Sequence, residues 1–126
     1  MDHFLEELNP SQKEAAKATE GPIMIIAGAG SGKTRVLTYR IAHILEKKID
    51  AFNILALTFT NKAAREMKDR IAKIVGQKEA KNLWMGTFHS VFAKILRAEA
   101  EKIGYPNNFT IYDTDDSKSI IKDILK

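Results

Sequence analysis

The 126-residue sequence contains no cysteine, which excludes a disulfide framework and any thiolate metal site and suits a reducing compartment. Its longest apolar run, IMIIAGA from Ile23, is far shorter than the roughly 20 residues needed to cross a bilayer. The opening MDHFLEEL is acidic where a secretory signal would be basic. Low-complexity linkers and internal repeats are also missing. These absences lead us to expect a soluble, cytoplasmic chain with no membrane partner. What is present fits one packed domain, since 44% of residues are hydrophobic at a length typical of a single core. Twenty Lys and Arg against sixteen Asp and Glu leave a net charge of +4, which favours polyanionic partners without requiring them.

Periodicity predicts alternating strands and helices. Asn9, Pro10 and Gln12 form a helix start, with Asn as cap and Pro at the first position, for a helix from about Pro10 to Thr19. Gly21-Pro22 breaks it, and Ile23–Ala27 reads as a strand buried on both faces. From Lys33, Val36, Leu37, Ile41, Ile44 and Leu45 recur at helical spacing as far as Lys47-Lys48. Ile54–Phe59 predicts a second buried strand, followed by a helix capped by Asn61 and stopped by Gly76. Leu83–Phe88 predicts a third, with a helix behind it that ends near Gly104. The expected fold class is α/β, a parallel sheet with helices on both faces, whose ligands gather at the C-terminal strand ends. The last segment, TDDSKSIIKDILK, reads as a capped amphipathic helix.

The stretch AGAGSGKT, residues 27 to 34, has the chemistry of a phosphate-binding loop. Gly28, Ala29, Gly30, Ser31 and Gly32 are small enough for successive backbone N–H groups to turn onto phosphate oxygens. Lys33 would meet the β and γ phosphates, and the Thr34 hydroxyl would meet Mg²⁺. A helix starting there adds its positive N-terminal dipole. Ala27 replaces the glycine common at the first position, and at a strand end that change is expected to be tolerated. Hydrolysis also needs an acid near the metal. The only strand-like stretch ending in one is Phe109–Asp113, but Thr110 makes it a poor buried strand, and Asp113 or Thr114 has a ready alternative role as helix cap. The acidic run from Asp113 fails as a calcium loop, because Lys118 and Ile124 stand where glycine and glutamate are required.

Four pieces in order, LNPSQKEAA, AGAGSGKTRVL, LALTFTNKAAREM and GTFHSVFAKILR, resemble the opening motifs of superfamily 1 DNA helicases of the UvrD, Rep and PcrA group. The resemblance spans nearly the whole chain. It implies a RecA-like P-loop NTPase, here a truncated first motor domain, with residues 1–110 in the ATP-binding subdomain and 111–126 opening an inserted helical subdomain. It further implies a 3′-to-5′ ATP-dependent translocase that uses ATP and Mg²⁺, works on single-stranded DNA and single-strand/duplex junctions, and serves DNA repair or replication. The acidic strand motif, the arginine finger and the second motor domain would then lie beyond Lys126, and the fragment alone is expected to be inactive.

By that resemblance Gln12 contacts the adenine of ATP, although it could equally complete the helix cap. Arg35 is similar to a family residue near the base; the plain alternative is a solvated helix arginine. Thr58, Phe59, Thr60, Asn61 and Lys62 match a segment that touches single-stranded DNA, with hydroxyl, amide and helix N-terminus on phosphate and an aromatic near a base. Read alone, Asn61 would be a cap and Phe59 a core residue. Thr87, Phe88 and His89 match the next DNA-contacting motif. His3 and His43 find no partner at metal spacing, Trp84 reads as core, and the cations Lys62, Arg65, Lys68, Arg70 and Lys73 can form a solvated face. Two rival functions stay open: a small nucleotide kinase, for which no arginine-rich lid is visible, and a nucleotide-binding module without turnover.

Overall fold

A computed structural model of the chain describes residues 3–28 and 32–126. The chain divides into two compact units, Met1–Val91 and Phe92–Lys126. The first contains a 3-10 turn at His3–Glu7, then α1 (Pro10–Lys17), α2 (Lys33–Glu46), a 3-10 turn at Ala51–Asn53, β1 (Leu55–Thr58), α3 (Asn61–Val75), α4 (Gln77–Lys81) and β2 (Trp84–Thr87). Helix α5 (Phe88–Glu99) straddles the boundary; a 3-10 turn at Ala100–Ile103 and α6 (Thr114–Ile124) follow.

Local chemistry explains where these elements start. Asn9 accepts from the Gln12 backbone N–H at 2.9 Å, and the Gln12 side chain accepts from the Asn9 N–H at 3.1 Å, closing a reciprocal cap ahead of Pro10. Helix α3 is capped by Thr60, whose hydroxyl accepts from the Ala63 N–H at 3.1 Å. The expected cap, Asn61, is instead the first helical residue, because the extended backbone of Thr60 (φ −125°, ψ 149°) places its oxygen over the first turn. Gly76 ends α3 at φ 98°, a value strained for any residue with a Cβ.

β1 and β2 run parallel, in register from Leu55 opposite Trp84 to Thr58 opposite Thr87, and α3 and α4 connect them. The described fold is therefore α/β with a small parallel sheet. Ile41, Ala51, Ile54, Met67, Ile71, Ala72, Ala80 and Leu83 form the core beside the sheet. Phe4, Leu5, Leu8, Ala16 and Ala42 form a second cluster, against which Tyr39, Ile74 and Val75 pack. The buried positions on α3, Ala64, Met67, Ile71 and Ala72, follow the helical period.

Two strand expectations are corrected. Among the described residues Ile23–Ala27 joins no sheet and the two strands pair only with each other; Met24 and Ile26 are 84% and 89% exposed. A continuous apolar run becomes a central strand only when neighbours on each side take up its N–H and C=O groups, and none of the described residues does so. β1 is likewise not buried on both faces, since Leu55 is exposed and Ala56, Leu57 and Thr58 are only half-buried. Helix α1 stops two residues earlier than expected, at Lys17.

In the second unit, Arg97 Nη1 donates to the carbonyls of Asn107 and Phe109, both at 3.0 Å, with its guanidinium 4.7 Å from the centre of the Phe109 ring. Asp113 accepts from the Asp116 N–H at 2.8 Å, and the Asp116 carboxylate accepts from the Asp113 N–H at 3.2 Å. The Phe109–Asp113 stretch is irregular, and Asp113 is the cap of α6.

Candidate nucleotide and nucleic-acid sites

Ala29, Gly30 and Ser31 lie outside the described residues, so the loop is seen from its two ends. Ala27 needs no left-handed backbone: among the described residues only Lys48 combines a side chain with a positive φ. At the far end, Gly32 does adopt it, with φ 84° and ψ 29°, and leads into α2. A Cβ on Gly32 would stand 2.8 Å from Gln12 Nε2 and 3.9 Å from the Arg35 Cβ. The backbone angle calls for glycine here, and a Cβ would also displace the Gln12 amide.

Gln12 completes the helix cap and also approaches the loop. Its Oε1 completes the α1 cap while its Nε2 lies against the last glycine of the loop. Among the described residues no side chain caps α2; the first amides of a helix suit an anion, and Lys33 and Thr34 are exposed there. This arrangement fits nucleotide phosphates. Thr34 could offer Mg²⁺ one hydroxyl oxygen; among the described residues no group of three or more His, Asp or Glu could hold a metal by itself.

Arg35 is exposed on α2 but has partners. Its Nη2 donates to the Glu7 carbonyl at 3.2 Å and lies 3.5 Å from Glu7 Oε2, and its guanidinium stands 5.5 Å from the centre of the Tyr39 ring. The Tyr39 O–H donates to the same Glu7 oxygen. Burial, followed by this bond and the Glu7 charge, pushes the Tyr39 hydroxyl above its ordinary value, while Arg35 opposes the shift. Arg35, Thr38, Tyr39, Arg70, Lys73 and Ile74 line a cavity of about 400 Å³. Further along α2, Arg40 Nη2 donates to the Ala18 carbonyl at 2.9 Å, and Lys47 donates to the Thr19 hydroxyl at 2.8 Å.

The second cluster is built by the sheet. Because Thr58 and Thr87 are register partners, the residues that follow them emerge side by side. Phe59 is 92% exposed and Phe88 39%, with ring centres 5.6 Å apart and planes tilted by 35°. Thr58 Oγ1 donates to the Thr60 carbonyl at 2.9 Å, fixing the turn that presents Phe59. Thr87 and Ser90 cap α5 reciprocally: Thr87 N–H donates to Ser90 Oγ at 3.0 Å, and Ser90 N–H to Thr87 Oγ1 at 3.1 Å. Asn61, Lys62 and His89 are exposed nearby in sequence, whereas Trp84 is half-buried within β2.

The predicted residues thus fall into two groups. Gln12, Gly32, Lys33, Thr34 and Arg35 gather at the start of α2, while Thr58 to Lys62 and Thr87 to His89 gather at the paired strand ends. Sequence reasoning missed Glu7, Tyr39 and Ser90. The T-x-x-S spacing of Thr87 and Ser90 was a visible cap signal, but nothing local marks the 28-residue link from Glu7 to Arg35.

Residues 8–126 match the family model of the UvrD/REP helicase N-terminal domain. The chain is 58% identical over 127 aligned positions to the ATP-dependent DNA helicase PcrA of Staphylococcus aureus strain Mu50, and 57% identical to that of Staphylococcus epidermidis strain RP62A. In both cases the match covers 100% of this chain and 17% of the relative.

Proposed function

The chain belongs to the UvrD/REP helicase N-terminal domain family, and from that premise we propose that it forms the ATP-binding entry to a RecA-like motor that steps 3′ to 5′ along single-stranded DNA and separates duplex at junctions. It spans 17% of the length of the curated relatives, so the motor belongs to a longer protein. Residues 1–110 form the P-loop subdomain and 111–126 begin a helical insertion. The remaining domains supply the strands that would flank Ile23–Ala27, the acid that completes the Mg²⁺ site and the second motor half. The fragment alone does not turn over ATP. Repair of DNA in the cytoplasm is the setting this reading implies.

In this reading Gly28 to Thr34 cradle the phosphates, Lys33 stabilises the transferring phosphoryl group, Thr34 meets Mg²⁺, and Gln12 and Arg35 meet the base. Thr58, Phe59, Thr60, Asn61, Lys62, Thr87, Phe88 and His89 form part of the DNA track. The observation that carries it is the Phe59–Phe88 pair. Two adjacent rings, one of them almost wholly in solvent, are an unfavourable exposure for a free protein and a suitable stacking platform for unpaired bases. A kinase or a silent nucleotide module has no use for it.

The test is ATP turnover by the full-length protein with and without single-stranded DNA. We expect stimulation by DNA, and a loss of at least about a hundredfold in Lys33→Ala. Turnover indifferent to DNA, or unchanged in Lys33→Ala, rejects the proposal; phosphorylation of a small acceptor favours the kinase.

A further inference from the structure

The Glu7 contacts place a carboxylate where no motif calls for one. Arg35 reaches both the carbonyl of Glu7, at 3.2 Å, and its Oε2, at 3.5 Å. Glu7 does not hold this position alone, because Tyr39 donates its hydroxyl to the same Oε2. The Tyr39 ring is in turn set by Phe4, at 5.8 Å between centres, within the cluster of Leu5, Leu8, Ala16 and Ala42. The guanidinium therefore has an anion at one side and the Tyr39 face at another, 5.5 Å away. A long side chain on an open helix turn ordinarily samples many rotamers. Here it is held by Glu7 and Tyr39, and its Cβ lies near Gly32, 3.9 Å from where a Cβ on that glycine would stand.

The Arg35–Glu7 pair is half-exposed, with 48% and 60% of the side chains accessible. Ion pairs of that kind contribute little to folding. What the pair does provide is geometry. Gln12 is fixed by Asn9, and Arg35 by Glu7, so the N-terminal arm orients both groups that would meet the base end of a nucleotide.

We propose that Glu7 is a positioning residue for nucleotide binding: it holds Arg35 in the base-contacting arrangement before ATP arrives, with Tyr39 as its anchor. The inference rests on the reading of residues 27 to 34 as the nucleotide loop. Without Glu7, ordering Arg35 becomes a cost of each binding event, which raises KM and leaves the chemical step alone.

The experiment is steady-state ATPase of the full-length protein carrying Glu7→Gln, with inorganic tripolyphosphate as a competitive inhibitor that has phosphates but no base. The expected result is a KM for ATP raised about three- to tenfold, kcat within about twofold, inhibition by tripolyphosphate unchanged, and no added effect of Glu7→Gln in an Arg35→Ala background. Tyr39→Phe, which keeps the ring against Phe4, should shift KM the same way and serves if Glu7→Gln does not fold. An unchanged KM in the folded variants overturns the inference. So does equal weakening of tripolyphosphate, or a full Glu7→Gln effect without Arg35. Inactive Lys33→Ala beside a normal Glu7→Gln would reject Glu7 alone, whereas active Lys33→Ala would reject the nucleotide reading beneath it.

Discussion

Replacing Phe59 by alanine separates a side chain that serves the fold from one that serves a ligand. At 92% exposure the ring contributes almost no burial; among the described residues its ring partner is Phe88, 5.6 Å away. Aromatic pairs contribute about 0.5 to 1.5 kcal/mol, and for a ring this exposed the lower end applies, so Phe59→Ala should cost about 0.5 kcal/mol of stability. If bases stack on it, the same change should cost about 1 to 3 kcal/mol of DNA affinity, or roughly 5- to 150-fold in Kd. Fluorescence anisotropy with a labelled single-stranded oligonucleotide on the full-length protein reads the second quantity, and thermal melting the first. Salt provides a control. Removing a ring should leave the slope of log Kd against log salt unchanged, whereas Lys62→Ala should reduce it by about 0.7 if Lys62 meets a phosphate. An unchanged Kd in a folded Phe59→Ala variant would refute the stacking argument. A stability loss above about 2 kcal/mol would also refute it, by showing that Phe59 belongs to the core.

Gly86→Ala should destabilise the first unit by about 1 to 3 kcal/mol, since its Cβ would meet Ser90 Oγ at 2.7 Å and Val91 Cγ2 at 3.1 Å; an unchanged melting temperature would show that the α5 cap can move aside. Because the Tyr39 hydroxyl is raised above 10.0, its share of stability is complete below pH 10.0 and is lost as pH rises through the folded-state value. Melting curves across that alkaline window should therefore fall less steeply for Tyr39→Phe than for the unmodified chain, and parallel curves would contradict the linkage. Asp113→Ala should cost α6 about 1 kcal/mol, seen as lost helicity by circular dichroism; full helicity would mean that the Asp113–Asp116 cap contributes nothing.

Local signals were legible where local chemistry decides the outcome. The cap at Asn9 and Gln12, the stop at Gly76 and the helical periods of α2 and α3 follow from contacts within a few residues. Thr60 against Asn61 turned on a single backbone angle, which composition does not encode. The candidate DNA cluster was legible only through four motifs taken together, since the pattern TFT marks neither the exposure of Phe59 nor its approach to Phe88. That approach depends on strand register, a long-range property set by α3 and α4 between the strands. Glu7 was illegible for a similar reason: its partners lie 28 and 32 residues away.

The misread strand bears on function as well as on fold. Ile23, Met24 and Ile26 carry the hydropathy of a central strand, yet they stand exposed and belong to no strand of the two-stranded sheet. Hydropathy records what a segment is selected to bury against, and sheet pairing records which partners are at hand. The disagreement between them is, on the proposed reading, what is expected of a segment whose neighbours come from elsewhere in a longer protein, in keeping with relatives of which this chain spans 17%. On the proposed reading, the same segment delivers the chain to the phosphate loop. The strands that complete the sheet would then also fix the loop, so nucleotide affinity should grow with the length of chain that follows residue 126. Titrating a fluorescent ATP analogue into this chain and into the full-length protein measures that growth. Equal affinities would mean that the loop is already organised by the Gln12 and Glu7 contacts alone.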